Sequence, residues 1–210
     1  MKIEQFKEHK IISIVRGIAV EDVEQIFQTL YEEGIRLVEV TLNTEYALSI
    51  ISEMSLKFEG RMYVGAGTVL NPEMAIQAIE AGARFVLTPA VNVETIRTVK
   101  RHGVFCIAGA LTPTEILIAY DNGSDLVKIF PAGTMGVSYL KDIQGPFPQI
   151  PTVPTGGIDV TNAKEFLKAG ATALGVGSSI VKGKKGYNET DFVELREKAR
   201  RFFQVVHENK

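Results

Sequence analysis

A lysine stands in the middle of an apolar run, LVKIFPA, where a charged side chain is unexpected. Successive side chains of a β-strand point to opposite faces, so Lys128 lies on one face and Val127 and Ile129 lie on the other. If the two apolar residues pack under helices, Lys128 points into the protein, where lysine is rarely buried without a role. A buried, neutral amine attacks carbonyl carbons, so the run predicts a Schiff-base lysine. The alternative is a lysine whose amine reaches solvent from an edge strand.

Glu39, in LVEVTL, follows the same alternation, because it shares a face with Thr41 opposite Val38 and Val40. A carboxylate on the same interior face as Lys128 would be placed to transfer protons during carbonyl chemistry. The alternative is a structural ion pair with a lysine or an arginine, since such pairs also occur in protein interiors.

Three further polar residues follow predicted strands. Arg16 ends IISIVRG, Thr68 lies in VGAGTV, and Asn43 follows LVEVTL. A guanidinium and a hydroxyl together suit a carboxylate ligand. Each residue is also typical of a surface loop, and Asn43 is a suitable N-cap for a helix that begins near Thr44.

Glycines mark the ends of two late apolar runs, PTGGI and GVGSSIV. Gly156 and Gly157 allow the backbone to approach an anion closely, and Gly177 with Ser178 would begin a short helix whose N-terminus points inward. The pattern therefore predicts a phosphate site, although the glycines also suit tight turns alone. The lysines of the next loop are interpreted as solvated, with a minor part in attracting the phosphate: Lys182, Lys184 and Lys185.

Eight runs rich in β-branched residues recur along the chain and predict strands. They are Ile11–Val15, Leu37–Leu42, Met62–Val69, Phe85–Pro89, Val104–Ala110, Leu126–Ala132, Thr152–Gly157 and Ala173–Ser178. Helical periodicity lies between them, as in Glu21–Glu33, and Asn71-Pro72 and the Thr112–Glu115 capping box are helix starts. Glycines fit the left-handed position after five helices: Gly34, Gly82, Gly103, Gly123 and Gly170.

Eight strand–helix units in 210 residues predict an α/β protein that is a single-domain (β/α)8 TIM barrel spanning residues 1–210. Catalytic groups of such barrels lie at the carboxyl ends of the strands. An open doubly wound sheet is the alternative fold, but the dinucleotide signature G-x-G-x-x-G is missing after the first strand.

Bulk composition sets limits on location and partners. The formal net charge is −2, which gives no electrostatic reason to expect nucleic acid or an anionic membrane as a partner. No run reaches the roughly 20 apolar residues that cross a bilayer, and the N-terminus lacks a secretion signal. The single cysteine, Cys106, cannot form an internal disulfide, so a cytoplasmic location is expected.

The sequence predicts no metal site at the histidines and no nucleophile at the cysteine. His9, His102 and His207 fall on helical segments, and none ends a strand. A metal-dependent epimerase or a zinc aldolase needs histidine or carboxylate ligands at the barrel mouth, so no metal is expected. Cys106, in VFCIAGA, is interpreted as a core residue.

The sequence resembles the 2-keto-3-deoxy-6-phosphogluconate (KDPG) and 4-hydroxy-2-oxoglutarate (KHG) aldolase family. The resemblance rests on ordered segments that extend from residue 11 to residue 181: VEVTLNT, VGAGTVLNP, FVLTP, GALTPTE, LVKIFPA, GPFP, VPTGGI and GVGSSIV. It implies a lyase of carbohydrate metabolism, in the Entner–Doudoroff pathway, that cleaves KDPG to pyruvate and glyceraldehyde 3-phosphate. The resemblance also implies KHG, which yields pyruvate and glyoxylate, as a second substrate. A homotrimer with no metal or other cofactor is also implied.

The resemblance also implies roles for individual residues. Lys128 would be the Schiff-base lysine, Glu39 the general acid and base, and Thr68 part of the pyruvate-carboxylate site. Pro89 and Phe130 would shape the pocket around the imine. The distal phosphate would be held by Gly156, Gly157 and Ser178.

One departure from the family pattern concerns Asn43, where many members carry an arginine. Arg16 would then supply the positive charge from the first strand. IVRGI and TLNT are similar to 6-phosphogalactonate aldolases, whereas GALTPTE and GPFP favour the gluconate type, so both sugar epimers remain open.

Two other functions compete with the aldolase. A metal-dependent sugar-phosphate isomerase would share the barrel and the phosphate site, but the sequence lacks its ligands. A sugar-phosphate-binding barrel without catalysis would keep the glycines, yet it would not need both Lys128 and Glu39 in its interior.

Overall fold

The computed structural model describes residues 1–207, in which eight parallel strands form a barrel, so the predicted α/β class and (β/α)8 architecture are confirmed. The last three residues of the predicted domain, 208–210, lie outside this description. The strands are β1 (Ile11–Val15), β2 (Leu37–Thr41), β3 (Tyr63–Gly67), β4 (Phe85–Leu87), β5 (Phe105–Ala110), β6 (Leu126–Ile129), β7 (Thr152–Pro154) and β8 (Leu174–Val176). Strands β1 to β7 pair in sequence order, β8 pairs with β1, and a bridge from Thr155 to Gly175 closes the ring.

Helices alternate with the strands around the outside of the barrel. They are α1 (Ile3–His9), α2 (Val20–Glu32), α3 (Ala47–Lys57), α4 (Pro72–Glu80), α5 (Val93–Arg101), α6 (Pro113–Asp121), α7 (Ala132–Gln144), α8 (Ala163–Lys168) and α9 (Glu189–His207). Within residues 1–207, none of the helices has the length and the apolar character that crossing a bilayer requires.

Most predicted helix ends are confirmed by hydrogen bonds. The Asn71 side chain accepts from Met74 N–H at the start of α4, and Thr112 and Glu115 form the predicted capping box of α6. All five glycines predicted to follow helices have positive φ. The late strands are shorter than predicted. β6 ends at Ile129 rather than Ala132, because the apolar run continues into the loop beyond the last pairing with β7, and β8 ends at Val176 rather than Ser178.

The outward faces of the strands form the larger core. Val38, Val40, Val127 and Ile129 are buried in it together with residues of the surrounding helices, such as Phe27. This arrangement turns the alternate residues of the strands toward the barrel axis.

The amino-terminal end of the barrel interior is filled and covered by α1. Phe6 of that helix is fully buried, stacks on Phe105 at 4.5 Å between ring centroids and meets Phe85 edge-on at 5.6 Å. Inward residues of other strands complete this apolar layer, including Leu126 and Val153. The open cavity is therefore confined to the opposite end of the barrel.

Candidate active site

A cavity of about 630 Å³ opens at the carboxyl ends of the strands. Residues from β1, β2, β3, β4, β6, β7 and β8 or the loops that follow them line it. The lining contains nine residues that the sequence predicted for a site: Arg16, Thr68, Pro89, Lys128, Phe130, Gly156, Gly157, Gly177 and Ser178. The tenth, Glu39, lies on the same interior face of the barrel but below the lining, with no surface exposed.

Lys128 points into the barrel from β6 and is 4% exposed. It is the only lysine among residues 1–207 that is buried. Its amine lies 5.2 Å from the centroid of the Phe130 ring, two residues further along the same face. A side chain at Gly109, the β5 residue paired with Lys128, would approach the Thr88 carbonyl oxygen to 2.6 Å. The Lys128 amine therefore lies at the floor of the cavity, beside the Phe130 ring.

Glu39 is fully buried on β2, and neither carboxylate oxygen has a hydrogen-bond partner. Burial raises the pKa of this carboxyl, while the nearby charges of Lys128 and Arg16 oppose that rise. A buried carboxylate without donors is costly, so its unsatisfied oxygens favour an incoming ligand or water as partner. Such a group holds or releases a proton according to what enters the cavity, which is the property a general acid and base requires.

Gly67, at the end of β3, leaves room for the Glu39 side chain. A β-carbon at position 67 would overlap the Glu39 carboxylate. The ladder pairs Thr41 with Gly67, so this glycine lies across from the end of the strand that carries Glu39. The absence of a side chain there lets the carboxylate occupy the interior.

Arg16 and Thr68 meet at one side of the cavity. The Arg16 Nη2 atom donates to Thr68 Oγ1 at 3.5 Å, and Arg16 is otherwise exposed to solvent. Asn43 lines the cavity nearby without a charge of its own. The guanidinium and the hydroxyl form a pair of donors suited to a carboxylate.

Glycines form the opposite side of the cavity. Gly156 and Gly157 have φ of 85° and 72°, which a residue with a side chain rarely adopts. A β-carbon at Gly156 would lie 3.0 Å from the Phe130 ring, and one at Gly157 would lie 3.0 Å from Gly133. The backbone itself therefore lines this side, together with Gly177 and Ser178.

Two local expectations are wrong. Asn43 does not cap a helix, because α3 begins at Ala47 and its N-cap residue is Tyr46. Gly177 and Ser178 do not begin a helix either; Ile180 N–H and Val181 N–H both donate to the Gly177 carbonyl, which makes one turn that does not continue.

Thr155, Ile14 and Gly183 line the cavity but were not predicted as site residues. Thr155 is 3% exposed and its hydroxyl donates to Val153 O at 3.2 Å. Alternation from Val153 would have placed it on the interior face. No sequence signal marks Gly183, which faces Arg16: a β-carbon there would lie 2.9 Å from the Arg16 carbonyl oxygen.

The single cysteine lies away from the cavity. Cys106 is fully buried on the outward face of β5, and burial with the nearby Asp125 carboxylate raises the pKa of its thiol to about 12. The reactive thiolate form is therefore hardly populated at neutral pH. Within residues 1–207, no three histidine, cysteine or acidic side chains are grouped as metal ligands.

The family profile and the sequence relatives described here agree on one family. The family profile described as KDPG and KHG aldolase matches residues 3–196. The 2-dehydro-3-deoxy-phosphogluconate aldolase of Treponema pallidum is 33% identical over 94% of this chain and 93% of its own length. The KHG/KDPG aldolase of Escherichia coli is 37% identical over 67% of this chain. The chain spans 66% of that relative's length.

A solved structure of a related enzyme shares the fold. KDPG aldolase from Legionella pneumophila, with pyruvate captured as a covalent carbinolamine, superposes with a TM-score of 0.81. The two sequences are 28% identical, and the alignment covers 96% of this chain and 94% of that chain.

Proposed function

This chain belongs to the KDPG and KHG aldolase family, and from that premise we propose that it is a class I aldolase, with residues 1–210 forming one aldolase domain. Its proposed reaction is the cleavage of KDPG to pyruvate and glyceraldehyde 3-phosphate. The observation that carries the proposal is a buried lysine and a buried, unpartnered carboxylate that share the interior of one barrel mouth. KHG, a shorter 2-oxo acid, is the proposed second substrate, cleaved to pyruvate and glyoxylate.

Lys128 is the proposed nucleophile. Its amine adds to the C2 ketone to give a carbinolamine, and loss of water then gives a protonated imine. The Legionella relative was captured with pyruvate as a carbinolamine, which is the adduct of an amine with a carbonyl. Lys128 is the amine that this cavity offers at its floor.

Glu39 is the proposed proton carrier. It takes the proton of the C4 hydroxyl, directly or through a water molecule, as the C3–C4 bond breaks and its electron pair passes into the imine. The products of this step are the aldehyde and an enamine on Lys128. The enamine is then protonated at C3, and water releases pyruvate from the lysine. The burial-raised pKa of Glu39 suits a group that alternates between acid and base.

Substrate orientation follows from the two sides of the cavity. Arg16 and Thr68 are proposed to hold the carboxylate of the pyruvate unit, with Arg16 supplying the charge that Asn43 lacks. Gly156, Gly157, Gly177 and Ser178 are proposed to bind the distal phosphate through backbone and hydroxyl groups. Pro89 and Phe130 are proposed to form the walls beside the imine.

The galactonate epimer of KDPG is the alternative to KDPG as the main substrate. The segments that favour it are IVRGI and TLNT, which are similar to 6-phosphogalactonate aldolases and contain Arg16, placed beside Thr68, and Asn43. The two substrates differ only in the configuration at one hydroxyl, so both belong in the same assay.

We also propose a cytoplasmic homotrimer that uses no metal or other cofactor and acts in the Entner–Doudoroff pathway. Its partners would be the phosphorylated 2-keto-3-deoxy sugar acid and pyruvate, with no nucleic acid or membrane. Support for assembly comes from exposed apolar residues on two parts of the surface, Tyr46 and Leu48 near α3, and Ile118 and Tyr120 on α6. A three-fold assembly joins two such different surfaces of neighbouring subunits. Sedimentation equilibrium, which measures the mass of the assembly in solution, tests the proposed trimer.

Pyruvate release over a panel of 2-keto-3-deoxy acids tests the function. The panel contains KDPG, its galactonate epimer, the dephosphorylated analogue of KDPG, and KHG. Each charge-assisted hydrogen bond to phosphate is worth about 1.5–3 kcal/mol, so kcat/KM on the dephosphorylated analogue should fall by at least about 10²-fold. Equal efficiency with and without the phosphate would reject the phosphate site, and no pyruvate from any of the four would reject the aldolase.

A further inference from the structure

Arg16 lies between two peptide groups that are held by the same pair of threonines. On one side, Gly17 N–H donates to Thr44 Oγ1 at 3.1 Å. On the other side, Thr41 Oγ1 lies 3.4 Å from the Val15 carbonyl oxygen. The two hydroxyl oxygens are 3.0 Å apart. A continuous hydrogen-bond chain therefore links the residue before Arg16 to the residue after it.

The direction of this chain follows from the number of hydrogens. Thr44 Oγ1 accepts from Gly17 N–H, so its own hydrogen is free to donate to Thr41 Oγ1. Thr41 then donates its hydrogen to the Val15 carbonyl. With this assignment both hydroxyl hydrogens are used, and each threonine satisfies one backbone group beside Arg16. Thr41 and Thr44 are buried, at 0% and 5% exposed, so water does not compete freely for these bonds.

The TLNT segment brings the two hydroxyls together. Thr44 N–H donates to the Thr41 carbonyl at 2.8 Å, which closes a turn directly after β2. β2 places Thr41 beside β1, and the turn brings Thr44 back to the same end of β1. Arg16 belongs to the loop after β1, so the two threonines act across the junction between neighbouring strands.

Besides these bonds, Gly183 lies against the Arg16 carbonyl oxygen, to which a β-carbon at position 183 would come within 2.9 Å. Gly17 has φ of 61°, and a β-carbon there would find no atom within 4 Å. The Arg16 side chain is exposed, and its hydrogen bond in the cavity is to Thr68. The hydrogen bonds of its two flanking peptide groups therefore help to fix the direction in which Arg16 leaves the backbone.

We propose that Thr41 and Thr44 are positioning residues that hold Arg16 at the carboxylate end of the cavity. The proposal rests on the aldolase function, because it assigns Arg16 to the carboxylate of the pyruvate unit. The threonines do not touch the substrate and act through Arg16. Their loss should therefore weaken the binding of pyruvate and leave the chemistry of Lys128 largely intact.

Borohydride trapping at graded pyruvate concentrations separates these two effects. Thr44→Val keeps the β-branched shape and removes the hydroxyl, so the pyruvate concentration for half-maximal trapping should rise by about 10- to 100-fold. The trapping rate at saturating pyruvate should stay within about twofold. Thr44→Ser keeps the hydroxyl and should restore half-saturation to near the wild-type value. Thr29→Val removes a buried hydroxyl bond on α2, to Gln25 O, and is the matched control.

A double variant tests whether Thr44 acts through Arg16. In the Arg16→Ala background, adding Thr44→Val should cause no further rise in half-saturation, because the group it positions is gone. Thr44→Ala replaces Thr44→Val if the valine variant fails to fold. Independent, additive effects would overturn the proposal, as would a Thr44→Val variant that binds pyruvate normally. Failure of the wild type to be trapped at all would instead overturn the aldolase function on which the proposal rests.

Discussion

At its amino-terminal end the barrel interior is filled by rings and branched side chains, whereas at its carboxyl-terminal end it holds a cavity with charged and unsatisfied groups. Phe6, Phe85 and Phe105 pack against one another at the first end. Glu39 and Lys128 are buried at the second, and both Glu39 oxygens lack partners. The amino-terminal end is a packed apolar core, whereas the carboxyl-terminal end contains buried ionisable groups, one of them without hydrogen-bond partners.

Because the two ends of the barrel differ in this way, we expect substitutions at the closed end to affect stability and substitutions at the open end to affect activity. Removing packed atoms at the closed end leaves a void and should lower the free energy of unfolding. Removing a buried charge at the open end should lower activity and leave stability unchanged or higher, since functional groups are often held at a cost to the fold. A substitution that shows the opposite effect at either end would contradict this division.

Glu39→Gln should have a large kinetic effect at the open end. The amide has nearly the same volume but does not accept a proton, so kcat should fall by about 10²–10⁴-fold. Trapping of pyruvate should persist at a lower rate, because the Lys128 amine is still present. Adding this change to Lys128→Ala should lower activity no further, since both residues are proposed to serve one reaction. Near-normal turnover of Glu39→Gln would return Glu39 to a structural role.

Phe6→Ala tests the closed end. Phe6 is fully buried and stacks on Phe105, so the void should lower the free energy of unfolding by about 3–5 kcal/mol. Urea denaturation measures the change, with Leu56→Ala, at a residue 74% exposed, as the control. The kcat of the folded fraction should match the wild type. A large loss of kcat with unchanged stability would show that the two ends are not separable.

Gly67→Ala should affect both stability and kcat, because a side chain at position 67 would disturb the packing around Glu39 and so its position. The added methyl would overlap the Glu39 carboxylate and force it to move. We expect kcat to fall by about tenfold or more and stability to fall by about 1–3 kcal/mol. Gly145→Ala, where the nearest atom would be 3.5 Å away, is the matched control. Normal kcat in Gly67→Ala would mean that the position of Glu39 is not critical.

The pH dependence of stability should give the smallest effect. Burial raises the pKa of Glu39 above its ordinary value of 4.5. The folded state therefore binds more protons than the unfolded state as pH rises above 4.5, and stability falls until the folded-state pKa is passed. The unfolding free energy of the wild type relative to Glu39→Gln should decrease between pH 4 and neutral pH. A flat difference would show that Glu39 ionises as easily in the fold as in the unfolded chain.

Much of the fold was predictable because the alternation of side chains is a local property. The inward direction of Lys128 and Glu39 follows from their apolar neighbours at the next positions along the strand. The capping residues Asn71 and Thr112 are likewise local, since each bonds within its own first helical turn. Strand ends were less predictable, because β6 ends at Ile129, where its pairing with β5 and β7 ends, although the apolar residues continue to Ala132.

The remaining features of the site depend on contacts between distant parts of the chain. The bond from Gly17 to Thr44 joins residues 27 positions apart, and Gly183 packs on Arg16 from the other end of the sequence. The covering of the closed end by Phe6 also depends on rings at positions 85 and 105. No short sequence pattern encodes these distances, so only the folded structure shows them.

The location of the pyruvate adduct shows whether Lys128 is the Schiff-base lysine. The wild-type protein is incubated with pyruvate and borohydride, digested and analysed by mass spectrometry. Reduction fixes the imine, so we predict one pyruvate-derived addition, on Lys128, and none in Lys128→Ala treated in the same way. An adduct on an exposed lysine such as Lys185, or an equal adduct in Lys128→Ala, would contradict the account.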